Sequence, residues 1–196
     1  MDSPAPDPAL RRTIRLVGLL NLSYFGIEFA VALLIVSVSL FADSIDFLED
    51  ASINLLILVA FGWTVRQRAK LGMALAGILL VPGLATLWTA WRQFSLPVVP
   101  DPASLTWTGA GALAVNLTCA FLLARYRHAG GSLSKAAFLS ARNDALANIA
   151  IVAAGAATAF APSAWPDLIV GLGIAALNAG AAHEVFRAAR REHAEP

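Results

Sequence analysis

FADSIDFLEDASIN, residues 41–54, runs without a break into the apolar segment LLILVAFGW, residues 55–63. The stretch carries four acids: Asp43, Asp46, Glu49 and Asp50. A membrane helix continuing through 55–63 puts them on its first turns, inside or at the edge of the bilayer. Asp46 and Asp50 are spaced i, i+4, so a helix sets their carboxylates on one face about one turn apart. Asn54, four residues further on, continues the stripe. An acid at bilayer depth costs about 2.5–3.5 kcal/mol on insertion scales, so it persists where it has a partner or a task. Two carboxylates one turn apart make half of a site for a divalent cation. The other half must come from elsewhere in the chain.

Composition supports the membrane setting. The 196 residues are 58% hydrophobic and 14% charged, with a mean hydropathy of +0.69. A soluble domain is nearer half apolar and about a quarter charged. A net charge of +1, with no basic stripe outside the short loops, argues against a nucleic-acid partner. The single cysteine, Cys119, forms no intrachain disulfide. Six segments have the roughly 20 mostly apolar residues that a span requires: about 14–38, 40–65, 71–91, 104–124, 136–160 and 168–186. The third is expected to kink at Pro82-Gly83. Arg11, Arg12, Arg15, Arg66, Arg68, Lys70, Arg125, Arg127, Lys135, Arg187, Arg190 and Arg191 then all fall on one side, and the alternate loops hold only Arg92. By the positive-inside rule both termini face the cytoplasm of a cell (inner) membrane. The expected fold is an all-α integral membrane protein, a six-transmembrane-helix bundle. Residues 1–12 read as a disordered cytoplasmic tail, 13–190 as one transport domain and 191–196 as a short cytoplasmic tail.

The fifth segment supplies the second half-site. Ser140 and Asp144 are again i, i+4, and Asn148 extends their face, repeating the spacing of Asp46, Asp50 and Asn54. The second helix enters from outside, so Asp46 and Asp50 lie roughly 9–15 Å deep at 1.5 Å per residue. The fifth enters from the cytoplasm, so Ser140 and Asp144 lie roughly 6–12 Å deep on the same rise. In a hydrocarbon core about 30 Å thick these bands approach each other near the middle.

NLSYFGIEFAVALLIVSVSLFADSIDFLEDA, residues 21–51, resembles the first two membrane helices of the cation diffusion facilitator family. The match carries Asn21, Glu28, Ser39-Leu40, Asp43 and the ligand pair Asp46 and Asp50. AAFLSARNDALANIAIV, residues 136–152, resembles the family's fifth helix, and WPDLIVGLGIAALNAG, residues 165–180, its sixth, with Asp167 matching a family Asp. The resemblance implies a proton-coupled exporter of divalent metal ions, not an enzyme, working as a homodimer. It also implies a tetrahedral site with two ligands from the second helix and two from the fifth. Here that set is Asp46, Asp50, Ser140 and Asp144, with Ser140 standing where the family has His or Asp. The family's cytoplasmic C-terminal domain has no counterpart in this sequence, so a dimer is expected to form through membrane helices.

Each of these residues also has a plainer reading. Asp46 and Asp50 could be a helix-entry pair, and Asp43 an N-cap or a member of a polar network. Glu49 points about 100° away from Asp50 on an ideal helix, which suits a counter-ion to Arg142. Glu28 and Asn21 fit either an interhelical network or an ion and proton pathway; Asn143 and Asn148 fit helix–helix hydrogen bonds, and Ser140 close packing. His128, His183 and His193 fall near cytoplasmic ends. A site of three carboxylates with hydroxyl or amide oxygens is all oxygen, which suits manganese, magnesium or another hard cation, and admits zinc more weakly. Two other functions stay open: a proton-coupled carrier of an organic cation, and a non-transporting metal-binding or assembly protein of the same fold.

Overall fold

Ser37 starts the helix that carries the acids. Its hydroxyl accepts the Leu40 N–H at 3.1 Å, an N-cap that satisfies one of the open donors of the first turn. The computed structural model describes residues 8–59, 84–124 and 131–177, whose regular structure is all helical. Among them run α1 (Pro8–Ile35), α2 (Val38–Val59), α3 (84–95), α4 (Pro102–Ala124), α5 (Gly131–Phe160) and α6 (Trp165–Leu177). By length and composition, Pro8–Ile35, Pro102–Ala124 and Arg142–Phe160 suffice to cross a membrane, and α6 is a shorter apolar helix. The expected kink at Pro82-Gly83, the basic turn at 66–70 and the three histidines lie outside the described residues.

Several helices begin earlier than hydropathy predicts. α1 starts at Pro8, so residues 8–12 belong to the helix instead of the expected tail. Ala-Leu-Arg-Arg, residues 9–12, are strong helix formers. α5 likewise starts at Gly131, ahead of the apolar run. α4 starts at Pro102 behind an Asp101 cap, whose carboxylate accepts the Ser104 N–H at 2.7 Å. Hydrogen bonds from the Ser104 hydroxyl and then its N–H hold the Asp101 carboxyl below its ordinary range. The cap therefore strengthens α4 at neutral pH and is lost as acid protonates the carboxylate.

α1 and α2 are joined by a very tight turn. Ser37 N–H bonds back to Ala32 O at 3.0 Å, and Val36 takes a left-handed φ of 56°. This is a Schellman-type ending with valine where glycine is usual. α1 then packs along α2, with ring centroids 5.5 Å apart for Phe29–Phe41 and 5.1 Å for Tyr24–Phe47. α4 packs along α5, where a Cβ on Gly155 would lie 3.0 Å from the Thr106 backbone nitrogen. The core draws Ala32, Leu40, Ile45, Leu105, Ile151 and Ile174 from five helices. The surface is inverted relative to a soluble protein. Phe160 is 92% exposed, whereas Glu28, Asp43, Asn148 and Asp167 are 0% exposed. Apolar side chains face outward and polar ones inward, as a lipid surrounding requires.

Candidate cation site

α2 begins at Val38, so Asp46 and Asp50 lie more than two turns inside it. They are therefore not a helix-entry pair. The entry acid is Asp167, on α6. Its carboxylate accepts Val38 N–H at 2.7 Å, Ser39 N–H at 3.1 Å, and the hydroxyls of Ser37 and Ser39 at 2.6 and 2.5 Å. α6 comes this close because residue 171 is glycine: a Cβ there would meet the Val38 carbonyl carbon at 2.7 Å. Asp167 thus fixes the depth and rotation of α2, and with them the direction of its acids.

Asp46 and Asp50 of α2 and Asp144 of α5 line one cavity of about 680 Å³. Its far wall is apolar, with Ala147, Val170 and Ile174 from α5 and α6. The carboxylates of Asp144, Asp43, Glu49 and Asp50 all act on Asp46, Asp144 the most strongly. Such a cavity attracts cations. Ser140 belongs to α5 by its backbone, but its side chain lies outside the described residues. Among the described residues, no three His, Cys, Asp or Glu side chains are gathered as the ligands of an ion. The carboxylates share a cavity and not yet a coordination sphere.

Glu49 corrects the sequence reading, because it lines the same cavity. On an ideal helix it lies about 60° from Asp46 on the side away from Asp50, so an opening about 100° wide takes in all three. Arg142 is exposed and donates to Asn143 Oδ1 at 3.3 Å, making no ion pair with Glu49 among the described residues. Asn143 also lines the cavity, where the sequence suggested only helix contact.

The two stripes stop short of their amides. Asn54 donates to Asp50 O at 2.8 Å, within its own helix. Asn148 turns to Asp43 instead, donating from Nδ2 to Oδ2 at 2.5 Å, and accepts from Asn116 Nδ2 at 2.9 Å. Asp43 is therefore a network residue and not a cap. Glu28 of α1 faces it. One layer away, Cys119 Sγ donates to Asn21 Oδ1 at 3.6 Å. The cavity and this polar layer are stacked along the bundle. The layer lies nearer the α1–α2 turn, and the cavity nearer the C-terminal ends of α2 and α6.

Residues 14–192 match the family model of the cation efflux transmembrane domain. No curated protein matches the chain. With nearly the whole sequence matched, and with apolar helices enclosing an acidic cavity, the chain belongs to the cation efflux family, whose members are multi-pass membrane transporters of cations.

Proposed function

We propose that this protein exports a divalent metal cation, manganese or zinc, in exchange for protons by alternating access. Asp46, Asp50, Asp144 and Ser140 hold the ion. The observation that carries the reading is the common cavity lined by Asp46 and Asp50 from one helix and Asp144 from another. Binding draws the carboxylates together, replacing their mutual repulsion with attraction to a shared charge. Protons compete for the same oxygens, which couples the two flows. Among the described residues no aromatic side chain lines the cavity, the feature that would favour an organic cation.

The oxygen-only ligand set gives the experiment. Ser140→His restores an imidazole beside three carboxylates, and imidazole suits zinc better than manganese. The ratio of zinc to manganese affinity, measured by calorimetry on purified protein, should rise about tenfold or more, the scale of a changed ligand environment. An unchanged ratio would remove Ser140 from the site. Both termini are read as cytoplasmic in the cell membrane. Cysteines introduced near Val98 and Ala164 should then react with an impermeant reagent added outside intact cells. One near Gly130 should not, and its labelling from outside would overturn the orientation.

A further inference from the structure

On the orientation proposed above, the polar layer of Glu28, Asp43, Asn148 and Asn116 lies on the outer side of the acidic cavity. Glu28 is 0% exposed, and neither of its carboxyl oxygens meets a hydrogen-bond donor. Asp43 is equally buried; Asn148 serves its Oδ2, and its Oδ1 meets no donor. The two carboxyls nevertheless face each other. As two carboxylates they would set acceptor against acceptor with like charges in contact, an arrangement that a buried site does not sustain. A single proton resolves it, because one O–H then donates across the pair.

The amide chain says where that proton sits. Asn148 accepts from Asn116 and directs its own N–H to Asp43, which keeps the negative charge on Asp43 and leaves the proton on Glu28. The titratable groups acting on Glu28 are Asp43 and Asp46 of α2, with Tyr24 on its own helix. Tyr24 donates to Thr108 O at 2.6 Å and is already engaged. To this network α4 contributes the amide of Asn116 and α5 that of Asn148, while Asp144 acts on Asp46.

We propose that Glu28 is a further proton-carrying residue of the exchange, beside the ligand carboxylates: it holds a proton against Asp43 before the cation binds, and gives it up when a divalent ion sits among Asp46, Asp50 and Asp144. Asp46, on the next turn from Asp43, borders the cavity and is the exit for that proton. The step is a simple ionisation, a carboxylic acid becoming a carboxylate plus a proton released to solvent. Reprotonation from the outer side resets the site. This rests on the reading of the Asp46 cavity as the cation site.

Two measurements test it. Infrared spectra of the cation-free protein should show the carbonyl stretch of a buried protonated carboxyl, absent in Glu28→Gln. The glutamine amide can donate to Asp43 Oδ1 in place of the proton, so the layer keeps its hydrogen bonds. Titration with manganese or zinc alone in weak buffer then counts protons released per ion bound. Glu28→Gln should release about one proton fewer and, by linkage, bind the ion about tenfold more weakly than wild type. Asp43→Asn should show the same deficit, and provides the test if the first variant does not fold. A wild type lacking the carbonyl band, or variants that release as many protons as wild type, would overturn the proposal. A wild type that binds neither ion would sink the cation site and the exchange with it, while the band still decides whether Glu28 carries a proton.

Discussion

Asp50→Asn and Asp144→Asn should each abolish cation transport and lower manganese or zinc affinity by at least about 100-fold, above the loss seen when only a ligand's supporting contact is removed. Each substitution takes away a proposed ligand and a unit of charge from a cavity whose other wall is apolar. The fold should persist, because an asparagine is cheaper to hold at bilayer depth than an aspartate. Unchanged or higher melting temperatures in detergent would separate this effect from misfolding. Glu49→Gln serves as the graded control. Its side chain borders the cavity but lies off the Asp46–Asp50 stripe, so it should weaken affinity by about tenfold or less, the effect of a nearby charge that is not a ligand. Wild-type affinity in both aspartate variants would remove Asp50 and Asp144 from the site.

Asp167→Ala should have the largest effect on stability. The carboxylate receives two backbone N–H groups at the start of α2 and two serine hydroxyls, all buried. Removing it leaves those donors without an acceptor where no lipid can supply one. Hydrogen bonds to a charged group contribute about 1.5–3 kcal/mol each, so a loss of about 3–5 kcal/mol is expected after partial relaxation. Asp167→Asn should fall between alanine and wild type, since its oxygen still accepts but its amide group confronts an N–H. Thermal unfolding in detergent measures both. If Asp167→Ala melts with wild type, Asp167 does not anchor α2. Because α2 carries Asp46 and Asp50, milder variants at Asp167 should also impair transport without touching the cavity.

The acids were legible in the sequence because helical spacing is local. Asp46 and Asp50 fall on one face from their numbers alone, and the same count brought Asp144 into consideration. The cavity confirms that the three face a common space and leaves their role as ligands to experiment. What the count missed was set by neighbours. Asn148 continues the Asp144 stripe by spacing, yet Asp43 on another helix turns it away from the cavity. Glu49 lies off the stripe by its angle, but a cavity bounded by α5 and α6 is wider than a stripe of side chains. Asp167 could be matched to a family position, but its partners lie 128 to 130 residues away, beyond the reach of periodicity. Helix starts failed for a different reason. Hydropathy marks where a span enters lipid, whereas helical hydrogen bonding already runs through residues 8–12 and 131–135.

The direct test of the account is cation flux in sealed vesicles reconstituted with wild-type protein, Asp50→Asn or Asp144→Asn, under an imposed pH gradient. Wild type should move manganese or zinc against proton flow, with flux rising with the gradient and reversing when the gradient is reversed. Both variants should match protein-free vesicles. Wild-type vesicles without divalent-cation flux, or variants that carry it as wild type does, would contradict the claim that these carboxylates hold the transported ion.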